Sequence, residues 1–108
     1  LGVRNLIING DMRIAQRGTS VSGITGTGYY TVDRYRFAVA TMGTFTMSQD
    51  TDVPTGQGFT SSLKMDCTTA DTSLSTTDQV AIGHKIEAQN LQHLKFGTSS
   101  AESITLSF

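Results

Sequence analysis

Charged side chains are scarce in this chain, and their scarcity excludes two classes of partner. Of 108 residues, 16% are charged and the formal net charge is -1. Proteins that bind nucleic acid gather lysine and arginine to displace counterions from phosphates, so we expect no nucleic-acid partner. No apolar run approaches the roughly 18 residues that a membrane-spanning helix needs, so we expect no membrane insertion.

Cysteine and tryptophan are almost absent as well. Cys67 is the only cysteine, which excludes a disulfide within the chain and a thiolate zinc site. A single unpaired cysteine is typical of a protein that is made in a reducing cytoplasm. There is no tryptophan, so a site that stacks sugar rings on aromatic faces would depend on tyrosine or phenylalanine.

Serine, threonine and glycine dominate instead. Serine and threonine make up roughly a quarter of the chain, well above their ordinary share, and there are 11 glycines. Threonine suits the solvated face of a sheet, and a hydrophobic content of 37% is too high for a disordered chain. This composition predicts exposed β-structure with many turns.

Alternation of apolar and polar residues predicts most of the strands. The alternating runs lie at residues 34–40, 45–48, 63–68, 80–87 and 103–108. A short apolar run at residues 5–8 predicts a further strand, buried on both faces. Residues 12–15 are predicted to extend it beyond a turn at Asn9-Gly10, a pair that favours tight turns.

Turn-rich stretches and one helical turn complete the predicted fold. The stretches that we predict as loops lie at residues 18–28, 50–62 and 68–78. Near residues 88–96, Leu91 and Leu94 are spaced for one helical turn, which Gly97 would close. Short strands between such loops are typical of a sandwich or barrel. We therefore predict an all-β, jelly-roll-like β-sandwich.

The two ends of the chain predict that the sandwich is incomplete. The first residues, 1–4, lack the basic-then-apolar order of a secretory signal peptide, and no methionine opens the chain. The last alternating run reaches Phe108 without a closing turn. We expect residues 1–108 to form a single β-sandwich domain that is an N-terminal or internal fragment of a longer chain.

The residues that could carry chemistry do not form a recognised catalytic or metal signature. His84 is in phase with the apolar residues of its strand, which favours a core or interface residue, and His93 is expected to be solvated. Asp50 and Asp52 lie in a loop that lacks the glycine and glutamate of a calcium loop. Residues 23–28 lack the lysine and helix of a phosphate loop. We predict no enzymatic activity and no cofactor.

Tyr29 and Tyr30 are the candidate ligand-binding residues. Adjacent side chains of an extended segment point to opposite sides, so one ring is expected to be exposed. An exposed ring would stack on a sugar, but a place in a core or subunit interface is the preferred interpretation. Asp33 and Arg34 follow closely, and we expect them to form a local ion pair where the next strand begins.

A motif at the start of the chain resembles a known family. Residues 5–20 read N-L-I-I-N-G-D-M-R-I-A-Q-R-G-T-S, which is similar to the opening of a segment found in many phage and prophage tail-fibre or virion proteins. The T-x-D-R-aromatic element of that segment corresponds to residues 31–35. Later similarities lie at residues 62–65, 89–91 and 106–108. In these residues the chain resembles proteins of marine and cyanobacterial phages.

The opening also resembles, more distantly, the jelly-roll carbohydrate-binding domains of galactose-binding-like type. Their N-G-D-F-E opening lies near a calcium site, which makes Asp11 a candidate calcium ligand. Met12 and Arg13 replace the aromatic and acidic residues of that pattern.

The phage resemblance implies a structural component of the virion tail, most directly a tail fibre or tail-associated protein with a part in assembly and host attachment. It implies synthesis in the host cytoplasm, other virion proteins as partners, and a homo-oligomer such as a trimer or ring. The alternatives are a carbohydrate-binding module that recognises a cell-surface glycan through Tyr29 or Tyr30, a capsid decoration protein, and part of a polysaccharide depolymerase.

Overall fold

Five strands and two short 3-10 turns form the described part of the protein. The computed structural model describes residues 5–108, so the first four residues of the predicted domain lie outside it. The strands are β1 (Ser20–Ile24), β2 (Tyr35–Ala40), β3 (Gly43–Asp50), β4 (Ser62–Ala70) and β5 (Gln79–His84). The 3-10 turns are Ala88–Asn90 and Gln92–Leu94.

The strands form two antiparallel sheets. One sheet has the order β1-β3-β4 and the other pairs β2 with β5. The chain changes sheet from β1 to β2, from β2 to β3 and from β4 to β5, as the strands of jelly-roll-like sandwiches do. The prediction of an all-β, incomplete β-sandwich is confirmed.

The core lies between β2 and the first sheet. Tyr35, Phe37 and Val39 alternate with half-buried residues along β2, so one face of this strand is buried, as its alternation predicts. From β3, Phe45 and Met47 face them, and the rings of Phe37 and Phe45 meet edge to face with centroids 5.1 Å apart. Phe37 and Met47 are fully buried, and each contributes roughly 1.5–3 kcal/mol by leaving water.

A two-residue corner joins β2 to β3. Thr41 and Gly43 both have positive φ angles, of 50° and 97°, which turn the chain sharply from one sheet to the other. A side chain at Gly43 would collide with the carbonyl oxygen of Thr69 in β4, so only glycine fits there. The Thr41 hydroxyl donates a hydrogen bond to Asp78, which ties the corner to the loop between β4 and β5.

One side of the sandwich is uncovered. Only residues 25–27 separate β1 from Gly28, which pairs with Phe37 on the outer edge of β2, so the end of β1 lies near that edge. β4 is the opposite edge of the first sheet, and β5 is the edge of the second sheet that lies away from Gly28. Cys67 of β4 and Val80 and Ile82 of β5 are all exposed there. We call these residues, with the outer edges of β4 and β5, the open side.

The opening of the chain folds differently from its prediction. Residues 5–8 form no strand, and neither do residues 12–15. The turn at Asn9-Gly10 is present, with a 3.0 Å hydrogen bond from the Met12 amide to the Asn9 carbonyl. Conversely, β1 lies inside the predicted loop 18–28. The sequence of β1 shows little alternation of apolar and polar residues, because only Ile24 of this strand is buried and serine and glycine occupy most other positions.

Three later boundaries also differ. β4 continues into the predicted loop as far as Ala70, and β5 ends at His84, which pairs with Tyr35, the first residue of β2. Two 3-10 turns replace the single helical turn, and Lys95 takes the left-handed conformation ahead of Gly97. Residues 103–108, which we call the alternating segment, form no strand and are exposed throughout.

Candidate functional site

The residues before β1 are held to the sandwich by the Asn9 side chain. Asn9 has a φ of 59°, a left-handed conformation that asparagine tolerates better than most residues. Its amide nitrogen donates to the carbonyl oxygens of Ile14 (2.9 Å) and Asp33 (3.0 Å). Its amide oxygen accepts from the Ile14 nitrogen at 3.0 Å. One side chain therefore joins the opening turn to the start of β2.

Two further side chains complete this N-terminal clasp, which we define as residues 9–16 with Asp33 and Gln49. An Asp33 carboxylate oxygen accepts a hydrogen bond from the Gln16 amide at 2.9 Å. Gln49, in β3, donates from its side-chain nitrogen to the carbonyl oxygens of Met12 (2.7 Å) and Arg13 (2.9 Å). These bonds satisfy backbone groups that lie outside both sheets.

Arg34 binds the segment that follows β5. Its Nη2 atom lies 2.9 Å from both carboxylate oxygens of Glu87. The hydrogen bond from Arg34 lowers the pKa of Glu87 below its ordinary value. The predicted local pairing of Asp33 with Arg34 is wrong, since Asp33 accepts from Gln16 and Arg34 turns to a residue far along the chain. Arg34 and Glu87 are 53 residues apart, so no local sequence pattern predicts their pairing.

A cleft of about 440 Å³ lies beside the clasp. All of its lining residues carry a polar or charged group, and their apolar stems and one ring also face the cleft; they are Gln16, Arg17, Tyr29, Asp33, Arg34, Lys85 and Glu87. The clasp supplies one wall, and the Arg34–Glu87 pair supplies another. Such a cleft offers hydrogen-bond donors and acceptors around a single aromatic ring, which is the chemistry that a hydroxylated ligand needs.

The two adjacent tyrosines separate as their positions predict. Tyr29 is 38% exposed and lines the cleft, with the Arg17 guanidinium carbon 5.7 Å from its ring centroid. Tyr30 packs against the core, and its hydroxyl donates to the Gly26 carbonyl at 2.5 Å. Its ring covers Gly28 so closely that an added Cβ would lie 3.0 Å away. Tyr29 is therefore the ring available to a ligand.

Asp11 lies outside the cleft and has no carboxylate partner for a metal. Its side chain is half exposed, and Arg13 lies 3.9 Å away. Burial, and to a smaller extent the Asp11 charge, raises the pKa of Tyr35. Over residues 5–108, no three His, Cys, Asp or Glu side chains group together as metal ligands do. The assignment of Asp11 as a calcium ligand therefore stays a prediction, since calcium takes 6–8 oxygen ligands, among them backbone carbonyl oxygens.

The histidines lie apart from the cleft. His84 is half buried, with its Nε2 atom 3.0 Å from the Ile8 carbonyl oxygen and its ring edge-on to Tyr35. This placement agrees with its interpretation as a core or interface residue. His93 is exposed on the second 3-10 turn.

Two aspartates accept several hydrogen bonds: Asp50 at the end of β3 and Asp78 in the loop before β5. Asp50 accepts from the Thr51 amide at 2.7 Å, which lowers the pKa of Asp50. The hydroxyl of Thr41 and the amide and hydroxyl of Ser75 lower the pKa of Asp78. Each carboxylate is thereby stabilised in its charged form, as turn residues commonly are.

No protein-family model, curated protein or solved structure matches this chain. The resemblance to phage tail proteins therefore stays a prediction from the sequence motif. No helical segment in the described part of the chain has the length and hydropathy needed to cross a membrane.

Proposed function

We propose that this chain is a non-catalytic structural component of a phage virion. It would belong to a tail fibre or tail-associated protein that contributes to assembly and host attachment. The observation that supports this proposal is the part that the motif residues play in the fold. Asn9, Gln16, Asp33 and Arg34, which carry the resemblance, form the clasp and its link to Glu87. The motif residues thus hold the scaffold together and form no catalytic group among the described residues, which supports a structural function.

The proposal includes self-association and binding to other virion proteins. Apolar side chains on the open side are exposed in the single chain, and exposed apolar surface of this kind marks interaction sites. A trimer or ring in the virion tail, assembled after synthesis in the host cytoplasm, would cover this surface.

Immunogold labelling of phage particles tests this function. Antibodies raised against the purified chain should label tails of intact particles, and native mass analysis of those particles should find the chain in several copies. A chain that stays in the host lysate and is absent from purified particles would refute the proposal. Labelling of the capsid instead would support the decoration-protein alternative.

A second candidate function is the binding of a cell-surface glycan in the cleft. The favouring observation is the Tyr29 ring, which is exposed among Gln16, Asp33 and Lys85. Aromatic faces with polar neighbours suit sugar rings, which have apolar faces and polar rims. A glycan array probed with the whole chain tests this idea.

Matched variants make the glycan test specific. Tyr29→Ala should lower the affinity for any glycan that binds by at least about tenfold, and Tyr29→Phe should retain binding because it keeps the ring. An array without a single hit for the folded chain would exclude glycan binding and leave the structural function in place.

A further inference from the structure

β5 is paired on one edge and uncovered on one face. Its Val80 and Ile82 are cross-strand partners of Val39 and Phe37, so all four side chains point to the interior. Val39 and Phe37 are buried there, whereas Val80 and Ile82 are 45% and 51% exposed. Among residues 5–108, no strand pairs with the outer edge of β5. Unpaired backbone groups and apolar side chains thus occur together on the open side.

The alternating segment has the complementary pattern. Ile104 and Leu106 are 61% and 72% exposed, and Phe108 is fully exposed, while the residues between them are polar. The segment spans six residues, the same length as β5. In a strand, its three apolar side chains would lie on one face.

The alternating segment begins directly after a backbone contact with the second 3-10 turn. The Glu102 amide donates to the Leu94 carbonyl at 2.8 Å, and Leu94 is buried. From that point the segment pairs with no described strand of its own sandwich, and all six of its residues are exposed. It is therefore free to reach another molecule, while the β5 edge of its own molecule stays open.

We propose that the alternating segment of one copy pairs as an antiparallel strand with the outer edge of β5 in a second copy. Ile104, Leu106 and Phe108 would then extend the apolar face that Val80 and Ile82 begin. Edge strands are ready templates for such addition, in which backbone hydrogen bonds provide affinity and alternate side chains provide register. If two copies exchange segments, the result is a symmetric dimer, and the same contact made head to tail around a circle gives the trimer or ring of the proposed function.

This inference rests on the proposed function, because it gives a contact to the self-association included there. The β5 face and the alternating segment would each be covered only in the assembled form.

Sedimentation equilibrium of the whole chain over micromolar concentrations tests the contact. Leu106→Lys and Ile82→Lys place a charge on the proposed apolar face, and each should raise the dimer dissociation constant at least about tenfold. Thr105→Lys and Ala81→Lys place the same charge on the opposite face of each strand, so they should change it little. Circular dichroism checks that all variants stay folded.

Mixing the two disrupted variants tests the exchange directly. Leu106→Lys retains an intact β5 edge and Ile82→Lys retains an intact alternating segment. Their mixture should form a heterodimer, visible by native mass spectrometry, at concentrations where each variant alone is monomeric. One of the two contacts is undamaged in that heterodimer, whereas both are damaged in each homodimer.

Two results would overturn the inference. A wild-type chain that is monomeric throughout, with a melting temperature that Leu106→Lys lowers, would mean that the segment pairs with its own β5. A wild-type oligomer that resists both Leu106→Lys and Ile82→Lys would place the contact elsewhere, and it would leave the self-association of the proposed function standing. Labelling of virions tests that function independently.

Discussion

β2 and β5 pair residue by residue, yet they have very different environments. Along six paired positions, every second residue of β2 is buried, whereas most of β5 is exposed. The backbone hydrogen bonds of the ladder are similar for both strands. What differs is the sheet above them, which covers β2 and stops short of β5. Covering by a second layer, more than strand pairing, therefore decides how much each residue stabilises this fold.

The largest effect on stability is expected when the two members of one cross-strand pair, Phe37 and Ile82, are truncated in separate variants. Phe37→Ala should lower the free energy of unfolding by about 3–5 kcal/mol, because it empties a fully buried site. Ile82→Ala, its partner on β5, should cost about 1 kcal/mol, because half of that side chain is already in water. Urea denaturation of the monomeric chain measures both. Equal losses would contradict the contrast between the two strands.

The corner between the sheets should be nearly as sensitive. Gly43→Ala adds a methyl group against the Thr69 carbonyl in a left-handed conformation, and it should cost about 3 kcal/mol or more. Gly56→Ala provides the control, because Gly56 also has a positive φ but has open space around it. Its cost should be about 1 kcal/mol. If both variants lose the same amount, the collision with β4 does not occur.

The clasp is expected to contribute less than the core. Asn9→Ala removes three hydrogen bonds to backbone groups, and it should lower the free energy of unfolding by about 1–3 kcal/mol. Asn90→Ala, at an exposed asparagine on the first 3-10 turn, should change it little. Thermal unfolding followed by circular dichroism separates the two. A neutral Asn9→Ala would show that the clasp is not stabilising.

The smallest effect concerns the ion pair that ties the segment after β5 to β2. The pKa of Glu87 is lowered in the folded chain, so the pair stabilises the fold above the ordinary glutamate pKa near 4.5. That contribution is lost as the pH falls through the lowered value. Wild type should therefore melt slightly above Glu87→Gln at pH 7, and the gap should narrow below pH 4.5.

A control variant isolates the effect of the pair. Glu102→Gln removes a carboxylate that forms no ion pair in the described part of the chain, and its melting temperature relative to wild type should depend less on pH. A gap between wild type and Glu87→Gln that is the same at pH 3 and pH 7 would argue against a contribution from the charged pair.

The sequence predicts the covered strands well and the uncovered ones poorly, for the same physical reason. β2 alternates because one face is buried and the other is not, so its pattern is strong. β1 buries only Ile24, so its sequence has no clear alternation and predicts a loop. Residues 103–108 alternate as strongly as β2, but they have no partner in the single chain, so their pattern gives no strand there.

The sequence likewise predicts one part of the candidate site and misses another. The opposite orientations of Tyr29 and Tyr30 follow from local geometry, which the sequence contains. The clasp depends on the left-handed Asn9 and on its contact with Asp33, 24 residues further along the chain. The Arg34–Glu87 pair spans 53 residues. No spacing rule reveals contacts of this range, although the N-G pair marks where the chain turns.

The pairing of β2 with β5 also has a consequence for synthesis on the ribosome. β3 and β4 are neighbours in sequence and can pair as soon as both have emerged. β2 must wait for Gln79–His84, the last of the five described strands, because that partner is synthesised about forty residues later. During that interval one edge of β2 and the apolar residues Phe37 and Val39 lie open to other nascent chains. The interval between the synthesis of β2 and that of β5 is therefore a period of raised aggregation risk.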